Sequence, residues 1–487
     1  MNRLPLAETE EQQQLWKRLQ PVNRVAASDT YKRNMSCSSE IFSDRLAVYT
    51  LAARKALDEE NVNGRFIMAG LEKMLYPWFS EPITQTEVEK ARDFFTSKGA
   101  VAKFPQSAWE AVLGNGGRMP LDIYALPGGQ TFLAKDGKHV PIMSVEGRGA
   151  LASHLEPHLE GIYAPIIQAT KARLMKEQTG QQFAEFGLRS NESENNHVTL
   201  MLALYVGGKF TLTSDDQAVM LFPNYFKDIG TIGHEFMMAY QREGVSLEEA
   251  QEKAFRDFVA ANTFSALLPD VISTLHSGLP AILRLVQEYR GTGKIIIPRF
   301  DSGNVPAQCS AWEKTLSEAG ILGTKKVVED GYNPTKVRET KQKYALEGFN
   351  SEDIIVGSGG YFLEGCTRDA ISLVYKRSAT EHGGRLEASL KFSDSPGKES
   401  IPGRIRIYDH NNKLIVAQYG EEVEGKPLMI KVLDQGRITY TEDLHQQAAR
   451  AEQTWNSYDT IEYSPLTKRL IKERIQERDI ILAKYKG

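Results

Sequence analysis

A single histidine at the start of a predicted helix is the residue of this chain best suited to chemistry. His234 lies in the segment GTIGHEFMMAYQ, behind a glycine-containing turn and directly before an apolar helical run. Gly230 and Gly233 allow backbone N–H groups to approach a ligand closely, and the helix N-terminus directs its positive dipole end to the same place. A histidine there can bind phosphate as a hydrogen-bond donor or attack it as a nucleophile. The alternative is a buried histidine that caps the helix.

A glycine-rich loop near residue 358 is a second candidate, for phosphate binding. The apolar run DIIV (353–356) leads into GSGG, which contains Gly359 and Gly360, and a helical stretch through Arg368 follows. A glycine loop that leads from a late barrel strand into a helix N-terminus commonly binds phosphate. Arg368 could add a charge-assisted contact. An ordinary glycine-rich turn is the alternative.

The segment RFDSGN brings an acid to a third predicted strand end. Asp301, followed by Ser-Gly, can hold ribose hydroxyls or a hydrated magnesium ion, which prefers oxygen ligands. Asp330 and Asp270 are further candidates of the same kind. The alternative is a solvated loop acid, which fits Asp270 better than Asp301.

Short apolar runs place these candidates at the ends of predicted strands. The runs recur every roughly 20 to 35 residues, each followed by a helical pattern, as in βα units. They lie at 183–189, 209–216, 228–235, 264–270, 294–304, 325–331 and 353–360. Seven such units favour an irregular α/β barrel over an open sheet, with its active site at the carboxyl ends of the strands. Those ends carry Arg189, Ser214, Asp215, His234, Asp270, Asp301 and Asp330.

Composition limits the class of protein. The chain has 487 residues, 41% of them hydrophobic, which suffices for two or three structural units. A net charge of −4 without a long basic block does not indicate nucleic-acid binding. No apolar run approaches the ~18 residues of a membrane span, and the polar N-terminus is unlike a signal peptide. Three scattered cysteines suit a reducing compartment. We therefore expect a cytoplasmic protein that binds neither nucleic acid nor membranes.

The chain divides into three predicted regions. Residues 1–160 mix helical and strand-like segments, residues 161–378 carry the repeating units, and residues 379–487 combine short strands with a charged helical tail. No low-complexity tract separates these regions. We therefore expect packed domains rather than modules joined by flexible linkers.

The order of the motifs resembles the nicotinate phosphoribosyltransferase family. The matching segments are DTYK (29–32), FGLR (186–189), LTSDD (212–216), GTIGHE (230–235), LLPD (267–270), RFDSGN (299–304), GSGG (357–360) and KFSDSPGK (391–398). The resemblance extends from about residue 28 to about residue 400. GTIGHE and KFSDSPGK are typical of the nicotinate enzymes, whereas DSGN and GSGG are closer to nicotinamide phosphoribosyltransferase.

The resemblance implies a reaction and an architecture. The reaction joins the phosphoribosyl group of 5-phosphoribosyl-1-pyrophosphate (PRPP) to a pyridine base and releases pyrophosphate, with Mg²⁺ and with ATP as a co-substrate. The architecture is an irregular seven-stranded β/α barrel of the type II phosphoribosyltransferase kind. An α/β domain built from both chain termini accompanies it, so that residues 379–487 complete the domain of residues 1–160. The resemblance also implies a homodimer whose active sites are shared between the subunits.

The resemblance further assigns roles to residues. Tyr31 of a neighbouring subunit and Phe186 would stack on the two faces of the pyridine ring, and Arg189 would hold a carboxylate on the ring. His234 would be the histidine that ATP phosphorylates transiently. The candidates around the ribose, the magnesium-bound pyrophosphate and the 5′-phosphate are Arg299, Asp301, Gly303, Asp330, Gly359, Gly360 and Arg368, with Asp301 and Asp330 as possible magnesium ligands.

The choice of base depends on the alignment of residues 213–215. Aligned without a gap, Ser214 takes the place of a hydroxyl in nicotinate enzymes, which is compatible with a carboxylate. Shifted by one residue, Asp215 takes the place of the aspartate that accepts from the amide of nicotinamide. An aspartate there would repel nicotinate. The GTIGHE and KFSDSPGK segments favour nicotinate.

Three other functions remain open at this stage. One is nicotinamide phosphoribosyl transfer. Another is a non-catalytic homologue that binds a nucleotide, against which the joint presence of His234, Asp301 and Asp330 argues. The last is an unrelated barrel enzyme acting on a phosphorylated sugar, such as an aldolase or isomerase. The predicted strand ends carry no lysine for a Schiff base, which argues against an aldolase.

Overall fold

The computed structural model describes residues 9–97, 104–392, 399–440 and 442–485. The chain forms two compact units, of which one comprises residues 1–170, 202–207 and 365–487, and the other residues 171–201 and 208–364. The domain boundaries predicted at residues 160 and 378 stay predictions. Residues 393–398 of the KFSDSPGK segment lie outside the described residues.

A curled sheet of seven parallel strands organises the unit that ends at residue 364. The strands are β1 (Phe183–Glu185), β2 (Leu212–Thr213), β3 (Lys227–Asp228), β4 (Phe264–Leu267), β5 (Ile295–Phe300), β6 (Lys326–Val328) and β7 (Ile354–Ser358). Their order is β4-β5-β6-β7-β1-β2-β3, and every neighbouring pair is parallel. Just beyond β3, a parallel bridge joins Thr231 to Ala266 of β4. The strands therefore follow one another around the sheet in chain order, and the mixed α/β fold with a curled parallel sheet is confirmed.

Helices alternate with these strands, as the repeating pattern predicts. They are Glu194–Gly208, Asp216–Leu221, His234–Met238, Leu247–Ala261, Leu279–Glu288, Val305–Glu318 and Pro334–Leu346. Several begin at a polar cap whose side chain accepts a hydrogen bond from the first turn. Asp215, Ser246, Asn304 and Asn333 do so, which satisfies N–H groups that a helix start leaves without partners.

Apolar side chains of adjacent strands form a cluster within the sheet. Ala266, Ile297, Val327 and Ile355 are all buried and contribute one residue each from β4 to β7, with Phe264 packed against them. Burying each large aliphatic side chain contributes roughly 1.5–3 kcal/mol. This cluster fixes the strands whose carboxyl ends carry the polar candidates.

The other unit is built on three mainly antiparallel sheets. The largest has the order Arg385–Ala388, Leu373–His382, Leu46–Ala53, Pro141–Arg148, Leu121–Ala125, Ile430–Asp434, Arg437–Ile438. The second is Lys426–Pro427, Ile405–His410, Lys413–Gln418, Thr460–Tyr463, and the third is Arg65–Ile67, Thr131–Lys135, Lys138–His139. Because Leu46–Ala53 pairs with Leu373–His382, strands from both halves of the chain share one sheet.

Eleven further helices complete the described part of the chain. They are Glu10–Arg18, Thr30–Ser38, Glu40–Ser43, Leu71–Phe79, Gln85–Ser97, Gln106–Gly114, Gly149–His154, Glu156–Glu160, Tyr163–Thr179, Leu444–Thr454 and Pro465–Ala483. Among the residues described, none of the helices has both the length and the apolar character that crossing a bilayer requires.

Candidate active site at the strand ends

A cavity of about 500 Å³ lies at the carboxyl ends of β1, β2, β5 and β6. Four residues selected from the sequence line it, namely Phe186, Arg189, Ser214 and Arg299. Its other lining residues are Leu188, Asn191, Glu192, Ser193, Glu194 and Glu329. The wall therefore offers one aromatic ring, two guanidinium groups, two serine hydroxyls and three carboxylates, of which Glu329 is paired with Arg299. The ring and the guanidinium of Arg189 suit a flat ligand that carries negative charge.

Arg299 is fixed within this wall by contacts to three strand ends. Its Nε and Nη2 lie 2.9 and 3.0 Å from the two carboxylate oxygens of Glu329. Nη1 donates to the hydroxyl of Thr231 and to the carbonyl of Ile232. The guanidinium also lies 5.3 Å from the centroid of the Phe186 ring, within the range of a cation–π contact. These contacts hold the arginine in one orientation toward the cavity.

The side chain of Glu329, the partner of Arg299, fits only because residue 357 is a glycine. Burial raises the pKa of Glu329, and the nearby guanidinium of Arg299 opposes that rise. A Cβ atom added to Gly357 of β7 would lie 2.4 Å from Cγ of Glu329. Gly357 therefore leaves the room in which this carboxylate lies.

The ends of β1 and β7 approach each other so closely that both need glycine. The N–H of Phe186 donates to the carbonyl of Ser358 at 3.2 Å. A Cβ atom on Gly359 would lie 2.2 Å from Cα of Gly187, closer than a side chain can be accommodated. The glycine loop selected from the sequence thus adjoins Phe186. Gly360 follows in open space at the start of a short 3₁₀ helix.

His234 belongs to a second group of polar side chains, at the ends of β4 and β5. Its Nε2 lies 2.7 Å from Oδ1 of Asp270, and the hydroxyl of Ser302 donates to Oδ2 of the same aspartate at 2.7 Å. One ligand atom each from His234, Asp270 and Asp301 can be chosen so that all lie within 4.8 Å of one another. Asp330, the other predicted magnesium ligand, does not belong to this group.

The pKa values of the two carboxyl groups in this cluster are shifted in opposite directions. Burial opposes ionisation of Asp270, but hydrogen bonds from Ser302 and His234 outweigh it and lower its pKa. Burial, reinforced by the neighbouring charge of Asp270, raises the pKa of Asp301. Oδ1 of Asp301 is buried and has no hydrogen-bond partner among the described residues. An unpaired buried oxygen is costly unless a ligand or cation satisfies it, and a carboxylate oxygen is a ligand that suits a hard divalent cation.

Asp330 and Gly303 lie in tight turns at strand ends. Asp330 has φ = +82°, its side chain is exposed, and Nζ of Lys336 lies 3.4 Å from its carboxylate. Gly303 has φ = +78°, a conformation that glycine adopts without strain. It precedes Asn304, the cap of the following helix.

Three other predicted site residues lie apart from the cavity lining. Asp215 is buried, at 1% exposure, and caps the helix Asp216–Leu221. Tyr31 and Arg368 belong to the other compact unit. There, Tyr31 is half exposed, and Arg368 pairs with Glu160 at 3.3 Å and with Asp369.

Asp270, Glu329 and His197 hold the candidates in place, and local sequence patterns mark them only weakly. Asp270 ends the run LLPD at a strand end, and its contact with His234 argues against the alternative of a solvated loop acid. Glu329 likewise follows a strand directly. His197 lies inside the apolar helix Glu194–Gly208, and no spacing marks it as part of a polar network.

Known proteins resemble this chain in sequence and in fold, although no protein-family model matches it. Nicotinate phosphoribosyltransferase of Bacillus subtilis (strain 168) is 28% identical over 306 residues, which cover 60% of this chain and 59% of that protein. Nicotinamide phosphoribosyltransferase of Xanthomonas campestris pv. campestris (strain 8004) is 22% identical over 381 residues, or 69% of this chain and 78% of that protein.

The crystal structure of a human protein is similar to this chain in fold. Human nicotinic acid phosphoribosyltransferase aligns with a TM-score of 0.69 and 17% identity, covering 92% of this chain and 100% of that chain. At this identity the likeness establishes the fold. The sequence matches extend over about three-fifths of the Bacillus protein. The motifs, the sequence matches and the fold agree, and the chain is a relative of the nicotinate phosphoribosyltransferases.

Proposed function

We propose that this protein is an enzyme of NAD salvage that transfers the phosphoribosyl group of PRPP to nicotinate, giving nicotinate mononucleotide and pyrophosphate. The observation that carries the proposal is the cavity in which Phe186, Arg189, Ser214 and Arg299 meet. Its aromatic and cationic groups match a flat ring that bears a carboxylate. The strands around it form the proposed type II phosphoribosyltransferase barrel.

Binding of the base follows from the groups in the cavity wall. The ring of Phe186, backed by the guanidinium of Arg299, provides a stacking surface for pyridine. Arg189 supplies the fork geometry that binds a carboxylate with two hydrogen bonds. Ser214 adds a hydroxyl, and its N–H is fixed by the carbonyl of Glu185 at 3.0 Å.

The glycosyl step relies on positioning and charge. As pyrophosphate leaves C1 of the ribose, positive charge develops on the sugar while the pyridine nitrogen attacks C1. Asp301 is proposed to hold ribose hydroxyls, and the backbone at Gly359 and Gly360 to hold the 5′-phosphate. Asp301, whose buried oxygen lacks a partner, and Asp330 are the proposed Mg²⁺ ligands. A bound Mg²⁺ would neutralise negative charge on the pyrophosphate.

ATP coupling is proposed to proceed through His234. Because its Nε2 donates to Asp270, the neutral imidazole carries its lone pair on Nδ1. Nδ1 attacks the γ-phosphorus of ATP, the N–P bond forms, and the bond to the bridging oxygen breaks so that ADP leaves. Water later hydrolyses the phosphohistidine. The exposed side chain of His234 is accessible to such a substrate.

Assembly and location complete the proposal. Tyr31, half exposed on a helix of the other unit, would cover the pyridine ring of a neighbouring subunit in a homodimer. The enzyme would act in the cytoplasm on PRPP, nicotinate and ATP.

A steady-state comparison of two bases tests the proposal. Purified protein is incubated with PRPP, Mg²⁺ and ATP, and pyrophosphate and mononucleotide are measured with nicotinate or with nicotinamide. We expect a higher kcat/KM for nicotinate, which falls in Arg189→Lys because the bidentate contact is lost. The exposed Arg290→Lys is the matched control. Absence of pyrophosphate release with either base would contradict the enzymatic proposal and leave a nucleotide-binding homologue.

Nicotinamide transfer is the second candidate, because the Xanthomonas relative matches over 78% of its length. That reaction would use Asp215 as acceptor for the amide N–H₂. The carboxylate of Asp215 is instead occupied by the first turn of its helix and by His197. This observation favours nicotinate, and a kcat/KM preference for nicotinamide would reverse the assignment.

A further inference from the structure

A buried histidine next to the cavity wall is held between two carboxylates. Nδ1 of His197 donates to Oδ2 of Asp215 at 2.7 Å, and Nε2 lies 2.8 Å from Oε2 of Glu185. All three side chains have at most 2% exposure. A neutral imidazole has one N–H, so a ring that faces a carboxylate at both nitrogens is satisfied only as the imidazolium.

The charge of His197 agrees with its surroundings. Burial alone would lower its pKa, but the hydrogen bond to Asp215 and the close carboxylate of Glu185 outweigh burial and raise it to about 9. The imidazolium therefore offsets one of two buried negative charges at physiological pH.

This trio connects the segments that form the cavity wall. Oε1 of Glu185 accepts the N–H of Gly187, and its Oε2 accepts the hydroxyl of Thr213 at 3.2 Å. The same Thr213 hydroxyl accepts the N–H of Asp215 at 3.1 Å. Phe186, which follows Glu185 in the chain, and Ser214, which precedes Asp215, both line the cavity. A change of charge in the trio therefore acts directly behind the groups that would contact the base.

Asp215 has its hydrogen-bonding capacity occupied by the chain. Oδ1 accepts the N–H groups of Gln217 and Ala218 at 2.9 and 3.2 Å, and Oδ2 accepts from His197. Loss of the imidazolium would release Oδ2 and leave two uncompensated carboxylates, a costly arrangement in a buried site.

Resting on the proposed transfer to a pyridine base, we propose that His197 determines specificity for a base that carries a carboxylate. It acts as a positioning residue: it retains Asp215 within the wall and offsets one carboxylate beside the cavity. Without it, Asp215 and Glu185 would repel an anionic ring and accept from a neutral amide.

The variant His197→Gln tests this statement, because it keeps a polar side chain and removes the charge. We expect the ratio of kcat/KM for nicotinate to that for nicotinamide to fall about tenfold or more, an effect of one unbalanced nearby charge. The nicotinamide kcat/KM should hold or rise. The double variant His197→Gln/Asp215→Asn again has one net negative charge in the trio and should recover the nicotinate preference. A purely structural role would leave the double variant no better than the single.

Two further variants keep the test decisive. His139→Gln is the matched control, because His139 is buried in the other unit and burial lowers its pKa to about 4; its ratio should equal that of wild type. If circular dichroism shows that His197→Gln is unfolded, the single variant Asp215→Asn tests the proposal instead. It should keep or strengthen the nicotinate preference, and a shift toward nicotinamide would overturn the proposal.

The outcomes also separate this inference from the function on which it rests. If the wild-type protein releases no pyrophosphate with either base, the proposed function is wrong. If the wild type is active and the folded His197→Gln variant has the same ratio of kcat/KM for nicotinate to that for nicotinamide, only the proposed role of His197 is wrong.

Discussion

Nε2 of His234 lies 2.7 Å from Oδ1 of Asp270, which ends the strand run 36 residues further along the chain. The side chain of Asp270 is 18% exposed, whereas that of His234 is 42% exposed. One nitrogen of the imidazole is therefore fixed by a largely buried carboxylate while the ring stays accessible to a substrate. This is the arrangement that a nucleophilic histidine requires.

His234→Ala is expected to abolish coupling to ATP and to leave some uncoupled transferase activity. The phosphate would reside on the imidazole, whereas the ribose chemistry depends on other groups. Incubation with γ-labelled ATP should label the wild type in an acid-labile, base-stable form. The control is His276→Ala, a change in the same unit on a short helical turn. Equal labelling of His234→Ala and wild type would refute the role.

Asp270→Asn should slow phosphorylation by about 10²-fold or more, because an amide can stabilise the wrong tautomer of the imidazole. The variant retains the shape of the side chain and the bond from Ser302. Rapid-quench measurement of labelled protein checks the rate, and Asp257→Asn, at a partly exposed position of the helix Leu247–Ala261, is the control. An unchanged rate would mean that the carboxylate does not orient His234.

Tyr31→Ala and Asp301→Ala should each be nearly inactive, and subunit exchange between them should restore part of the activity. The physical reason is that one site of a mixed dimer would contain both intact groups. Sedimentation establishes the oligomeric state, and differently tagged subunits establish exchange. A monomer, or no recovery despite proven exchange, would contradict the shared site.

Gly359→Ala should destabilise the protein by about 1–3 kcal/mol, because a Cβ there meets the backbone of Gly187. Gly360→Ala is its neighbouring control, since a Cβ at that position meets nothing within 4 Å. Urea denaturation of both variants measures the difference in the free energy of unfolding. Equal stabilities would mean that the ends of β1 and β7 can separate without cost.

Glu72 should make the free energy of unfolding depend on pH. Burial raises its folded-state pKa to about 7 from the usual 4.5, while Gln447 Nε2 donates to it at 2.6 Å. Between these pH values the folded state retains a proton that the unfolded state has lost. Stability therefore falls by about 3 kcal/mol as pH rises through this window, and is level above it.

Glu72→Gln tests this linkage, because the amide resembles the protonated acid and still accepts from Gln447. The variant should lose most of the slope and be more stable than wild type at pH 8. Exposed Glu422→Gln is the control. Chemical denaturation at several pH values measures the slope, and an unchanged slope in Glu72→Gln would exclude this carboxyl as its source.

Local patterns in the sequence were sufficient to place the candidates on elements. Each of the seven apolar runs overlaps one of the seven parallel strands, because a buried strand needs several consecutive apolar residues. The exception to this reason is β3 (Lys227–Asp228), which consists of two exposed charged residues at the start of its run. Phe186, Ser214 and Arg299 lie within such runs and Arg189 ends one, and all four line one cavity. Carboxyl ends of parallel strands meet at one edge, so their proximity follows from the strand assignment.

Partnerships between side chains could not be predicted in this way. Whether Asp270 binds His234, and whether Asp215 faces the base or His197, depends on strand order, register and the width of the curled sheet. The segment 213–215 has two plausible alignments as a sequence, and only the folded chain shows Asp215 buried against an imidazole.

By itself, the sequence determined the strand–helix repeat, the polar residues at strand ends and the family resemblance, since each depends on neighbouring residues or short motifs. The tertiary structure decided which charges are paired: Arg299 with Glu329, His234 with Asp270, and His197 with Glu185 and Asp215. These pairs join residues from different strands and helices. Their energies depend on distance and burial, which exist only once the chain has folded.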